Sequence, residues 1–212
     1  MANPVARKQQ QPREETIRRR QDIISAALAT FGSKGFKAGS LADVAEQVGI
    51  TQAGVLHYFG TKDQLLLEVL NHRDQSQVEK LEGKHMPAGL DLFRHLITTA
   101  RINAARPGIV QAYAVLSAES VTDDHPAREF FTFRYNHLRR EVREALELVC
   151  DRDDPPAPSA IDDAAASILA VMDGLQVQWL LDPSRVDLAR ATAFAIEAIL
   201  AGAIDGRRRA IL

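Results

Sequence analysis

The 212-residue sequence lacks the features that mark secreted, disulfide-bonded and membrane-spanning proteins. It contains a single cysteine, Cys150, which excludes an internal disulfide framework and a cysteine-based zinc site. No run approaches 18 uncharged apolar residues, so we expect no membrane-spanning helix. Residues 1–15 lack the apolar segment of a signal peptide, and a reducing, cytoplasmic location is the expected default.

Strand-like patterns are also scarce, because few stretches alternate apolar and polar residues. No proline lies between Pro12 and Pro87, and beyond Pro87 the prolines separate intervals that suit single helices. Apolar residues recur at helical spacing in three of these intervals, which begin near Phe131, Ile161 and Val186. We therefore predict an all-α fold of about nine helices.

Charge is distributed unevenly along the chain. Residues 1–62 carry nine Lys or Arg against five Asp or Glu, a net charge of +4, whereas the remainder carries −6. A basic N-terminal part on an acidic body suits a protein that contacts a polyanion at one end. Chance patterning of a solvated surface is the alternative interpretation.

The most informative segment lies between residues 40 and 62. Ser40 followed three positions later by Asp43 predicts a helix N-terminus, where the serine oxygen accepts a hydrogen bond from an unpaired backbone N–H. A first short helix is predicted over 41–48. Gly49 then supplies a tight turn, because glycine adopts positive φ without steric cost.

A second short helix is predicted over 52–58, with Thr51 placed to cap its start. Small and apolar residues are spaced as two steeply crossing helices need for a shared core; they are Val44, Ala45, Val48, Ile50 and Val55. Together these positions predict a helix-turn-helix, the motif that places its second helix in the major groove of DNA.

The segment from about residue 16 to residue 70 resembles the TetR family of regulators. The resemblance rests on an amphipathic first helix and on the two short helices that follow. The first helix is predicted over 13–33, ending near Phe31 and Gly35, with Ile17, Ile24, Leu28 and Phe31 on one face. The resemblance also rests on the sequence Tyr-Phe-Gly-Thr-Lys at 58–62. It implies a dimeric repressor that binds a palindromic DNA operator and is released by a small-molecule effector.

The second short helix carries the predicted base contacts. The amide of Gln52 can bond bidentately to adenine, and Ala53 can touch a thymine methyl. Ala53 and Gly54 are small enough to allow close approach. His57 projects one turn later and can reach a base edge or a phosphate, with plain helix surface as the alternative interpretation.

Predicted phosphate contacts flank this helix. Tyr58 and Lys62 resemble the family's phosphate-contacting pair, and the amide and hydroxyl of Ser40 are expected to meet another phosphate. Thr51 completes the candidate DNA-binding set. A packing role remains the alternative for Tyr58, and the basic run at 18–20 fits either the DNA backbone or a solvated helix face.

The remainder of the chain is predicted to bind the effector and a second copy. We divide the sequence into a disordered tail (1–12), a helix-turn-helix domain (13–62) and an effector-binding and dimerisation domain (63–212). The last two helices, predicted over 158–181 and 184–206, resemble the family's dimerising pair; packing within one protomer is the alternative. Their small residues suit close helix packing; they are Ala164, Ala165, Gly174, Ala193 and Ala201. Polar and aromatic candidates for an effector pocket between the middle helices are Asn103, Gln111, Phe130, Phe133, His137, Gln176 and Trp179.

No catalytic or cofactor motif is present. We find no P-loop, dinucleotide fingerprint, nucleophile elbow or His-Glu-x-x-His, and the histidines lack metal-ligand spacing. We therefore expect no enzyme activity, no cofactor and no metal. A DNA-organising factor without an effector and a helical enzyme with an incidental helix-turn-helix remain the competing interpretations.

Overall fold

The computed structural model describes residues 4–79, 87–151 and 153–204, and the ordered elements within these ranges are all helices. This confirms the predicted all-α fold. The helices are α1 (Pro4–Ala38), α2 (Leu41–Val48), α3 (Gln52–Phe59), α4 (Lys62–Glu79), α5 (Leu90–Ala104), α6 (Pro107–Glu119), α7 (Arg128–Val149), α8 (Pro158–Leu181) and α9 (Leu188–Ile204).

The chain forms two compact units, whose boundaries differ from the predicted division at residue 62. The first comprises Met1–Lys80 with Val115–Arg128, and the second comprises Leu81–Ala114 with Glu129–Leu212. Helix α4 belongs to the first unit because it packs against α1 and α3. The segment 115–128 joins that unit through a long-range hydrogen bond to α1.

Helix α1 begins earlier than predicted. It starts at Pro4 and continues through Pro12, so the segment expected to be disordered is helical from residue 4 onward. The helix is broken at Gly35, whose φ of 75° and ψ of 170° lie in a region that only glycine adopts readily. Gly35, near the predicted end of the helix, therefore marks a kink rather than the terminus.

The first unit is built around a core of α1, α2, α3 and α4. The side chains of Phe31, Val44, Val55 and Leu65 are fully buried in it. The predicted inner face of α1 is rotated slightly from the actual one. Its predicted members include Ile17, whose side chain is 51% exposed, whereas the completely buried residues Ile23 and Ala27 were not predicted.

The second unit packs α5, α7, α8 and α9 around one apolar cluster. The predicted spacing of α7 and α8 is confirmed, since Val142 and Ala145 of α7 and Ile161 and Ile168 of α8 are buried in that cluster. Helix α9 begins at Leu188, later than predicted. The reason is local: Asp187 Oδ1 accepts a hydrogen bond from the backbone N–H of Arg190 (3.0 Å), as a helix N-cap does.

By length and composition alone, α8 (Pro158–Leu181) could cross a membrane, and 28% of its most apolar window is buried within the chain. The sequence-based expectation of no such helix is therefore not confirmed. Three aspartates interrupt α8, at positions 162, 163 and 173. A core helix of a globular protein has the same length and composition.

Candidate nucleic-acid interface

Helix α2 begins with the predicted capping box. Ser40 Oγ accepts a hydrogen bond from the backbone N–H of Asp43 (3.1 Å), and Asp43 Oδ2 accepts from the backbone N–H of Ser40 (3.0 Å). The Ser40 backbone N–H, the Lys34 ammonium (2.9 Å) and the Ser40 hydroxyl hold the pKa of Asp43 at about 2. The carboxylate is therefore charged at neutral pH, as the positive end of a helix favours.

The turn after α2 depends on Gly49, as predicted. Its φ of 68° and ψ of 38° are left-handed, and its N–H lies within hydrogen-bonding reach of the carbonyls of Ala45 and Glu46. Arg19 of α1 donates to the carbonyl of Val48 (3.4 Å), another of the last carbonyls of the helix. The turn is thus fixed both by its own backbone and by α1.

Helix α3 starts at the predicted cap. Thr51 Oγ1 accepts a hydrogen bond from the N–H of Gly54 (3.1 Å). Val55 and Phe59 lie in the core, whereas Gln52 and His57 are exposed. One face of α3 therefore holds the helix in the unit, and the other presents an amide and an imidazole to solvent.

The small residues of α3 agree with close approach by a large partner. Ala53 is exposed, and Gly54 is half-buried. Tyr58 is half-buried, and its ring contacts those of His57 and Phe59, with centroids 5.9 Å and 6.4 Å away. The predicted packing role of Tyr58 and its predicted phosphate contact are therefore compatible.

Two predicted phosphate contacts have other partners in the structure. Both the N–H and the hydroxyl of Ser40 donate to Asp43, so a phosphate there must displace a carboxylate. The ammonium of Lys62 donates to the carbonyl of Phe36 (2.6 Å) and lies 4.4 Å from the Phe36 ring centroid. It therefore ties the start of α4 to the end of α1.

The basic run at 18–20 is also partly engaged within the first unit. Arg19 binds the end of α2, as described above. Arg20 lies over the ring of Phe59, 4.9 Å from its centroid, and pairs with Glu68 of α4 (2.9 Å). Neither of the two predicted roles of this run, a contact with the DNA backbone or a solvated face, included these internal partners.

Sequence reasoning also missed Glu119. Its Oε2 accepts a hydrogen bond from the backbone N–H of Phe36 (2.7 Å), 83 residues earlier in the chain. No local signal marks such a pair, because the periodicity of α6 does not show which helix end it reaches.

The predicted effector-binding residues do not form a single pocket lining. Asn103 and Trp179 are buried, Phe130, His137 and Gln176 are half-buried, and Gln111 and Phe133 are exposed. The predictions for Gln111 and Phe133 do not fit an enclosed site. The Phe133 side chain is 74% exposed, and its ring stacks on His137 on the outer face of α7.

Trp179 lies in a second apolar cluster of the second unit, with Ala100, Val110 and Leu188. This cluster joins α5, α6, α8 and the start of α9. Elsewhere in the second unit, Tyr135 of α7 donates its hydroxyl to Asp173 of α8 (2.6 Å). Burial raises the pKa of Asp173, although the hydrogen bond from Tyr135 opposes that shift. Within the described residues, no three His, Cys, Asp or Glu side chains are grouped to hold a metal ion.

Apolar side chains are exposed on α8 and α9. Phe194 of α9 is 76% exposed, and Val177 and Leu181 of α8 are 46% and 81% exposed. Gly174 and Ala201, predicted for close helix packing, are exposed beside them, whereas Ala164 and Ala165 are buried within the protomer. The predicted small residues thus divide between the core and an open face.

Two family models match the sequence. One, described as bacterial regulatory proteins of the TetR family, covers residues 23–69; the other, described as the C-terminal part of BetI-type transcriptional repressors, covers residues 95–203. The HTH-type transcriptional regulator BetI of Agrobacterium fabrum is 27% identical over 180 residues, which are 82% of this chain and 83% of that protein.

Solved structures share the fold. The complex of triclosan with SmeT, the repressor of a Stenotrophomonas maltophilia multidrug efflux pump, has a TM-score of 0.69 and 19% identity. The similarity covers 87% of this chain and 90% of that one. FadR of Bacillus subtilis, in complex with stearoyl-CoA, has a TM-score of 0.66 and 16% identity, with 86% and 98% covered.

Proposed function

This chain belongs to the TetR family of bacterial transcriptional regulators, and we propose that it is a homodimeric repressor that releases a palindromic operator when a small molecule binds. The observation that carries the proposal is the outward face of α3, where polar and small side chains follow a capped start and the opposite face is buried. We place the protein in the cytoplasm, where its operator is.

Helix α3 reads the operator from the major groove. Gln52 and His57 are the exposed polar side chains that reach base edges, and the bidentate amide of Gln52 selects adenine. Thr51, Ala53 and Gly54 let the start of the helix approach the bases closely. Phosphate contacts from the surrounding basic surface add affinity that depends on salt.

The first experiment is a fluorescence-anisotropy titration against DNA selected from the region flanking the protein's gene or from a random library. We expect Gln52→Ala to weaken binding by about 1–3 kcal/mol and to relax the preference at one base pair. Gln111→Ala is the matched control, because it removes an exposed glutamine side chain from α6 instead of α3. Equal affinities for both variants and the wild type would contradict the assignment of α3.

A salt series separates the proposal from a DNA-organising role. A repressor binds its palindrome far more tightly than unrelated DNA, and both affinities fall as salt releases counterions. Weak binding that is equal for all sequences would favour the DNA-organising alternative.

The dimer forms through α8 and α9. Each protomer supplies two helices to a four-helix bundle, whose core takes up the exposed apolar face described above. Phe194→Glu places a charge in that interface, and we expect the variant to sediment as a monomer. Phe133→Glu is the matched control, since Phe133 is exposed to almost the same extent, 74% against 76%. A dimer that survives Phe194→Glu but not Phe133→Glu would move the interface to α7.

The effector is a largely apolar small molecule that binds in the second unit near Trp179. Two proteins of the same fold are known in complex with compounds that contain a large apolar part, triclosan and stearoyl-CoA. Asn103 is a buried polar candidate for orienting the ligand in that unit. Ligand sites in helical proteins are usually cavities between helices that are lined by apolar side chains and a few polar groups.

Trp179 is the only tryptophan and so reports binding directly. We would titrate triclosan and a long-chain acyl-CoA while recording tryptophan emission and, separately, operator anisotropy. A change in emission at the concentration that releases DNA supports an effector site. Release of DNA without a change in emission would place the effector elsewhere. If no screened compound changes the emission or releases DNA, a regulator that works without a ligand is favoured.

A further inference from the structure

The backbone of Phe36, just after the kink of α1, is held by two distant side chains. Its N–H donates to Glu119 Oε2 at the end of α6 (2.7 Å), and its carbonyl accepts from the ammonium of Lys62 at the start of α4 (2.6 Å). All three residues lie in the first unit. Because α3 leads directly into α4, the backbone of Phe36 connects Glu119 to the helix that carries the DNA contacts.

Gly35 makes the approach of Glu119 possible. A Cβ at this position would overlap Glu119 Oε1, and the backbone conformation is one that other residues avoid. The kink thus serves to bring a carboxylate onto the next backbone amide.

Glu119 has a second candidate partner in His125. The imidazole is buried, its side chain being 1% exposed, and its Nε2 lies 3.8 Å from Glu119 Oε2. This Nε2 makes no hydrogen bond to any residue that the structure describes. Because Nδ1 accepts from the N–H of Ala127 (3.2 Å), the neutral ring carries its proton on Nε2. A buried donor is therefore directed toward a carboxylate that is already bound elsewhere.

The two partners compete for the same oxygen. A movement of about 1 Å by Glu119 Oε2 toward His125 would bring it within hydrogen-bonding distance of Nε2, and any part of that movement directed away from Phe36 would lengthen the present bond of 2.7 Å. Protonation favours this movement, since the imidazolium attracts the carboxylate. It also adds a proton to Nδ1, which can then no longer accept from Ala127.

We propose that Glu119 is a positioning residue with two states: it holds the Phe36 amide while His125 is neutral and moves to His125 when that ring is protonated. The second state loosens the end of α1 and, through Lys62, the start of α4. DNA affinity consequently falls as the pH falls. The affinity statement rests on the proposed function, whereas the exchange of partners does not.

Burial and three charged groups set the proton affinity of the ring. Burial lowers the pKa of His125 first, and the ammonium of Lys37 lowers it further. Glu119 and Asp63 of α4 raise it. Moving Glu119 closer strengthens the raising effect, so protonation and the exchange of partners stabilise each other.

The direct test is amide hydrogen exchange at Phe36 in the full-length protein, compared at about pH 7.5 and about pH 5 after correction for intrinsic rates. We expect the protection factor of the Phe36 amide in the wild type to fall at least about fivefold at the lower pH. This is the small end of the coupling usually found between two sites in a protein. His125→Asn should stay protected at both values, since its amide oxygen can replace Nδ1 as acceptor for Ala127. In Glu119→Ala the Phe36 amide should be unprotected at both pH values.

Two further variants guard against misfolding. Glu119→Gln keeps an acceptor for the Phe36 amide without a charge, so we expect protection that no longer changes with pH. His125→Gln keeps a neutral donor in the cavity and should behave like His125→Asn. Protection in the wild type that is the same at both pH values overturns the two-state proposal, as does a pH response that persists in both His125 variants.

The second test is operator affinity at the same two pH values and constant ionic strength. Every other group on the DNA-binding face is the same in both proteins, so the informative quantity is the difference between wild type and His125→Asn. We expect the wild type to weaken by at least about fivefold more than the variant on acidification. Absence of DNA binding at both values would refute the proposed function but leave the exchange result intact.

Discussion

Lys62→Met is the most informative single substitution in the first unit. Lys62 was predicted to contact a DNA phosphate but binds the Phe36 carbonyl in the structure, and these two roles predict different outcomes. Methionine keeps most of the apolar stem and removes the ammonium. In the structure this leaves the Phe36 carbonyl without its charged donor and removes a cation lying 4.4 Å from the Phe36 ring centroid.

The expected loss of stability follows from these two contacts. A hydrogen bond from a charged group contributes about 1.5–3 kcal/mol, and an exposed cation–π contact adds about 0.5–1 kcal/mol. Lys62 is half-buried, so solvent screening reduces the sum. We expect the free energy of unfolding to fall by about 2 kcal/mol. Lys37→Met, which removes an exposed ammonium near the same helix end, should change it by about 0.5 kcal/mol or less.

The assay combines urea denaturation with a salt series of operator binding. If Lys62 positions α4, Lys62→Met lowers stability and affinity while the slope of log affinity against log salt is unchanged. If Lys62 contacts a phosphate instead, stability is unchanged and the negative slope becomes shallower by about 0.9. Unaltered stability in Lys62→Met would refute the structural role of the ammonium.

Three other predictions concern stability, each checked by urea denaturation. The lowered pKa of Asp43 contributes stability above its ordinary value of 3.8 that is lost as the pH falls toward about 2, and Asp43→Asn should remove this dependence. Leu65→Ala empties a fully buried site and should cost about 2–5 kcal/mol. Its matched control is Leu148→Ala, at a site 62% exposed, which should cost about 0.5 kcal/mol or less. Burial lowers the pKa of His125, so the unfolded state binds protons more readily than the folded state below about pH 6.5. Acidification should therefore destabilise the wild type, and the stability of His125→Asn should depend less on pH.

The helix-turn-helix was predictable because its signals are local. The capping box of Ser40, the left-handed Gly49 and the cap of Thr51 each depend on residues within a few positions, and all three are present. The buried faces of α7 and α8 follow from spacing alone, since helical geometry fixes which residues share a face. These features identified both the fold and the family.

The predicted effector residues show where such reasoning ends. Phe131 and Phe133 stand two positions apart in the same helix, yet one is 3% exposed and the other 74%. Aromatic composition indicates that a face is buried, but the neighbouring helices decide which one.

The contacts of Phe36 were decided by the tertiary structure alone. Lys62 and Glu119 lie 26 and 83 residues away along the chain, and they bind the carbonyl and the N–H of this one residue. The sequence by itself determined which segments are helical, the caps of α2 and α3 and the exposed face of α3, because those depend on neighbours within one or two turns. The partners of Lys62, Glu119 and His125 depend on how separate helices pack against each other. The spacing of residues along one helix carries no information about that packing.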